Sequence, residues 1–209
     1  AQVAAMETAD VAALQTAQLN ALSTASMAAL TTGQVQALTT AQAAGLSTTN
    51  LGALTTAQVA AMETTDVAAL TTAQIKSLST ATVAALTTTE VAALKTTQLQ
   101  ALTTAQTTAM TTAQIQALTT AQVVGLSTAN VAGLSTTNVA ALTTVQVGAL
   151  QTVQLNALST AGVAALTTGQ VQALTTAQFA NLSTTNLGAL TTAQVAAMET
   201  ADVAALQTA

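Results

Sequence analysis

The sequence predicts an all-α solenoid of very short helices, one per eight-residue repeat. Three observations carry that expectation. Stepping by eight from Met6, every position to Leu206 is Leu or Met, a run of 26 anchors in which Met6, Met62, Met110 and Met198 are the methionines. Two residues after each anchor stands Thr, from Thr8 to Thr208, without exception. Five residues after it stands Val, Ile, Leu, Met27 or Phe179, with Ala43 and Thr107 as the departures. With the anchor numbered position 8, the octad reads [TS]-T-x-[QDN]-V-x-A-L. A period of this strictness is read before any single element is assigned.

Each element of the octad has its reason. A continuous helix fails on phase: eight residues at about 100° advance roughly 80° beyond two full turns, so an apolar stripe would wind round the helix. Coiled coils need repeats near seven or eleven. Short helices joined by turns fit better. Positions 2, 5 and 8 are spaced i, i+3, i+6, which is one helical face, and the phase breaks at each octad boundary. Thr is a preferred N-cap because its hydroxyl accepts an amide of the first turn. Position 1 is usually Thr or Ser but also Glu7, Gln15, Lys95 and Gln151, whereas position 2 is always Thr. The cap is therefore expected at position 2, which puts the Gln, Asn, Asp or Glu of position 4 at N2, facing the positive helix end. The Q-V-x-A-L remainder is rich in helix formers. Position 7 is small, with Asn181 the exception, and lets backbones approach. A helix of about six residues is roughly 9 Å long and cannot persist alone, so its stability must come from stacking on its neighbours.

A β-solenoid is the alternative, since Thr and Val favour strands. Strand alternation would bury positions 5 and 7 and expose position 8, the strictest apolar position. The chain also has only 9 Gly to supply turns.

Residues 1–209 are expected to form a single continuous array of 26 octads. Residues 1–17 recur at 193–209, and 46–64 recur at 182–200, both at whole multiples of eight. Both ends fall mid-octad, and the expectation is a segment of a longer array.

Composition excludes most chemistry. There is no Cys, His, Trp, Tyr or Pro, and Phe179 is the one aromatic residue. Without Cys and His there are no disulfides, no Ser-His or Cys-His catalysis, and no ordinary zinc, haem or iron–sulfur site. Two lysines and no Arg exclude a nucleic-acid binder that works through phosphates. Only 4% of residues are charged, against about 25% in ordinary domains. Mean hydropathy is +0.56, but Thr interrupts every apolar run before it reaches membrane-spanning length. An enzyme is not expected. Neither is a cofactor, a metal or a small-molecule substrate.

Every polar feature has a plain structural reading. The acidic pairs Glu7/Asp10, Glu63/Asp66 and Glu199/Asp202 could offer carboxylates to Ca²⁺, yet calcium takes six to eight oxygens. Acids at helix N-termini, favoured by the dipole, explain them more simply. Lys76 and Lys95 read as solubilising charges. Asn181-Leu182-Ser183 is a glycosylation sequon in form, at a frequency expected by chance. Met27 and Phe179 read as core variants. The Thr rows could present an ordered array to ice. As a cap, Thr72 would cost about 1 kcal/mol when changed to Val; on an ice-contacting plane the same change would leave stability nearly unaltered.

Octads such as Leu54 to Met62 and Leu118 to Leu126 resemble the Thr/Ala/Gln-rich octapeptide tracts of very large bacterial surface and adhesin-like proteins. The resemblance covers all 26 octads. It implies an extracellular or cell-surface structural role. The inert, repetitive exterior reads as a fibre, stalk or spacer, and the thin core of two apolar side chains per octad points to self-association into homo-oligomers or filaments. The alternative is a binding module presenting a regular Thr face to ice or a crystalline polysaccharide.

Overall fold

The computed structural model describes residues 2–206. Thr208, the last invariant threonine, lies outside the described residues, as do the chain-end residues Ala1 and Ala209. The chain divides into two compact units, Ala1–Leu102 and Thr103–Ala209. Both follow the same plan. Among the described residues, a short 3-10 turn at Val3–Ala5 is followed by 25 α-helices of four to six residues, one per octad, from Thr8–Ala13 to Thr200–Ala205. No strand occurs among the described residues. Each unit is an all-α solenoid, and the β-solenoid alternative falls. No helix among them is long and apolar enough to cross a membrane.

The octad terminates its own helix. Around helix Thr72–Ser77, Thr71 (φ −74°, ψ 159°) and Leu78 (φ −61°, ψ 143°) are both extended. Leu78 ends one helix, Ser79 (φ −69°, ψ 157°) opens the next, and two successive extended residues redirect the chain. Among the described residues no φ is positive. The turns therefore need no glycine, and the scarcity of Gly that weighs against a β-solenoid is no obstacle to the helical array.

Within each unit, helices pack against the third one along. In the first unit Thr40–Gly45 meets Thr64–Ala69; in the second Thr128–Ala132 meets Thr152–Ala157. Side-chain hydrogen bonds from position 4 reach 28 and 31 residues back, into the fourth octad before. Each octad thus rests on octads three and four away, and one superhelical turn takes between three and four octads.

Positions 5 and 8 form the core. Val35, Leu51, Val59 and Leu99 are fully buried, Met27 and Phe179 are buried each within its own unit, and the anchor leucines from Leu30 to Leu174 are nearly so, whereas Val195 and Val203 are about half exposed. Position 2 does not join them. Its Thr is exposed in most octads and half-buried at Thr16, Thr64, Thr96 and Thr152, where a long Gln, Glu or Lys side chain precedes it. The inward polar position is 4 instead. The expected 2-5-8 face fails because the helix begins at position 2 and ends between positions 5 and 7. Position 8 is extended, so helical spacing does not carry through to it.

Candidate functional site

The N-cap is position 1, not the invariant Thr of position 2. Thr71 Oγ1 accepts the Gln74 amide at 3.2 Å, and Thr111 does the same for Gln114. The invariant Thr is the first helical residue, N1, and the position-4 residue is N3. Gln then completes a capping box, its Oε1 accepting the cap's backbone amide, as in Thr71 N to Gln74 at 2.7 Å. This explains why Lys and Gln are tolerated at position 1. Lys95 supplies no hydroxyl, yet its backbone N still donates to Gln98 Oε1 at 2.7 Å. Gln151 does likewise toward Gln154 at 2.8 Å. The half of the box that matters most there is made by a backbone group that every residue has.

The other end of the same amide joins octads. Gln74 Nε2 donates to Ala43 O at 2.9 Å and Leu46 O at 2.8 Å. Gln154 reaches Val123 O at 3.0 Å and Leu126 O at 2.8 Å. Gln170 reaches Val139 O and Leu142 O. These acceptors are positions 5 and 8 of the octad four repeats earlier, carbonyls at a helix C-terminus that lack full intrahelical partners. One buried amide therefore satisfies a helix start with its oxygen and a helix end in the next layer with its nitrogen. A buried Gln is stable only because all of it is bonded.

The variants at position 4 keep part of this role. Asn50, one methylene shorter, reaches Leu19 O at 3.0 Å but Leu22 O only at 3.4 Å. Asn20, at position 6, clamps from outside: Nδ2 donates to Gly45 O at 2.9 Å and Oδ1 accepts Ser47 N at 2.7 Å. Asn156 repeats the clamp on Asn181 O and Ser183 N.

The acidic pairs separate. Glu7, Glu63 and Glu199 are exposed caps, and Asp10 is an exposed N3 residue accepting the Glu7 amide at 3.3 Å. Asp66 and Asp202 are buried at position 4, accepting hydroxyls from Thr40 at 2.7 Å and Thr176 at 2.9 Å. Glu90 is buried there too, accepting the Thr87 amide. Asp66 Oδ2 and Glu90 Oε1 are buried without a hydrogen-bond partner. Burial pushes both carboxyls above their usual range, against the lowering effect of their Thr40 and Thr87 bonds. Among the described residues no three acidic side chains gather as a metal site would require. Lys76 and Lys95 are exposed. Asn181 is the exposed C-cap of Thr176–Ala180, and its Nδ2 donates to Ala177 O at 2.9 Å.

Sequence reasoning missed the glutamine. Its capping half was legible, because T-x-x-Q is a capping-box signature once position 1 is taken as the cap. Its inter-octad half had no local signal.

Comparison with known proteins matches a repeat family along the chain. The ALTTAQ repeat matches residues 3–40, 59–96, 90–120, 120–152, 147–184 and 176–208. No curated protein and no solved structure matches the chain. The repeated T-x-x-Q box and its A-L ending are the features that the family's description spells out, and the matched stretches cover most of the sequence: the chain belongs to the ALTTAQ repeat family.

Proposed function

We propose that the chain is a structural spacer, the repeat tract of an extracellular or cell-surface fibre or stalk. The observation that carries this reading is the glutamine bridge. The polar side chain of the interior is consumed in joining octads, so the polarity the repeat places inside holds the array together. The outside is Thr, Ser, Ala and Gln with 9 charged residues in 209. A surface so poor in Lys and aromatic residues offers few cleavage sites to proteases that select them. A net charge of −5 sets little repulsion against lateral contact between copies. Assembly into homo-oligomers or filaments is part of this reading, in which no nucleic acid, substrate or cofactor has a role.

Negative-stain electron microscopy with sedimentation velocity tests the reading. Filaments of uniform width, or a concentration-dependent oligomer, are the expected result. A strictly monomeric chain that binds a crystalline surface would overturn it.

A second reading stays because one observation favours it. The invariant Thr is not the cap, and in most octads its side chain faces solvent. A strict Thr that faces outward in most octads suits a face that contacts ice or a crystalline polysaccharide. Thermal hysteresis, and pull-down on cellulose or chitin, separate the two. Either activity, lost when several position-2 Thr are changed to Val with stability intact, selects the binding face.

A further inference from the structure

Glu90 stands at position 4 with its Oε2 accepting the Thr87 amide, as Gln Oε1 does in the consensus octad. Its other oxygen, Oε1, therefore takes the place of the Gln Nε2. That oxygen is buried and has no partner. Consensus glutamines donate from this place to the carbonyls 31 and 28 residues back, as Gln74 does to Ala43 and Leu46 and Gln98 to Val67 and Leu70. The same register from Glu90 gives Val59 and Met62. An ionised carboxylate would set a bare anionic oxygen toward two carbonyl oxygens out of water, with no donor between them. A neutral carboxyl supplies the missing hydrogen.

We propose that Glu90 enters the fold as the neutral acid and donates its carboxyl O–H to the Val59 or Met62 carbonyl, making this joint a proton-held clasp. When the pH rises, the carboxyl gives its proton to solvent, the donor is lost, and the joint between the two octads loosens. The largest influences on this carboxyl are its burial and its bonds to Thr87, and none of them is a cation. Its helix, Thr88–Ala93, packs on Thr64–Ala69, whose charged groups are Asp66 and the cap Glu63, both of the same sign as an ionised Glu90. On the neighbouring helices of the unit, Lys76 and the cap Lys95 are exposed. Asp66 has the same defect at its Oδ2, with Val35 and Leu38 in register.

The test compares the full chain with Glu90→Gln, which restores the consensus donor and so is expected to fold. Amide hydrogen exchange is followed in residues 55–62 and 87–94 at pH 4 and pH 8. At pH 8 the variant should gain about fivefold or more in protection there, the usual consequence of supplying a partner to a buried polar group. At pH 4 the two proteins should agree within about twofold. A carbon-13 titration of the Glu90 carboxyl in the parent should show it holding its proton above the usual Glu range. Equal protection at pH 8, a gain that persists at pH 4, or an ordinary Glu titration would each overturn the proposal.

Discussion

Replacing Gln74 by Met removes the interior bridge while keeping nearly the same volume. Three hydrogen bonds go: Thr71 N to Oε1, and Nε2 to Ala43 O and to Leu46 O. Each is worth about 0.5–1.5 kcal/mol net, with the larger losses where a buried group is left unpartnered. Thr71 is exposed, so its amide can turn to water and sits at the low end. Ala43 and Leu46 are buried, and their carbonyls sit at the high end, although Ala43 O keeps the Leu46 amide at 3.3 Å. The expected cost is about 3 kcal/mol, close to that of a large core truncation without any cavity. Urea titration followed by circular dichroism in the helical band measures it, with Gln36→Met as control. Gln36 is exposed at position 6, and its replacement should stay within about 0.5 kcal/mol. A Gln74→Met loss below about 1 kcal/mol, or an equal loss from Gln36→Met, would refute the bridge as a principal tie between layers.

Further outcomes follow from the same geometry. Thr71→Ala should cost about 1 kcal/mol in the same titration, since Thr71 is the cap, whereas Thr72→Val at the exposed N1 position should change stability by less than about 0.5 kcal/mol. Gly148→Ala should destabilise, because an added Cβ would lie 2.8 Å from the Ala173 carbonyl oxygen, while Gly169→Ala, with nothing within 4 Å, should gain a few tenths of a kcal/mol or more. Gly162→Gln should stabilise by roughly 1–2 kcal/mol, replacing a helical glycine and restoring the donor to Val131 O and Leu134 O, read as a raised urea midpoint. The pH dependence has a definite sign. With the Glu90 and Asp66 carboxyls raised in the folded state, the stability they contribute is fully present below the ordinary carboxyl range. It is lost as pH rises through their raised values, so the double variant Glu90→Gln, Asp66→Asn should flatten the fall in urea midpoint between pH 4 and pH 8.

The glutamine shows where sequence reasoning stops. Gln74 lies beside Ile75 in a chain that places Thr, Ala or Gln at most other non-core positions. Taken alone it is a surface residue. It is interior because the carbonyls of Ala43 and Leu46 arrive opposite it, 31 and 28 residues away in sequence. The cap was misplaced for a related reason. Invariance was read as the mark of the cap at Thr72, but Thr71 holds that role, and its variability elsewhere is licensed by the bond from N3 to the cap's backbone.

The sequence by itself determined the repeat and its strict apolar positions 5 and 8, and it favoured one short helix per octad over the β-solenoid that it left open. Those follow from local periodicity and helix propensity, which every octad states in the same way. Tertiary structure decided which octads touch, and with that the number per superhelical turn, the burial of position 4 and the partners of its amide. The physical reason is degeneracy: sliding one layer past another by a whole octad buries the same Val and Leu, so the apolar pattern is indifferent to register. The choice falls to directional hydrogen bonds between Gln Nε2 and the carbonyls of positions 5 and 8, whose alignment depends on the pitch of the assembled solenoid.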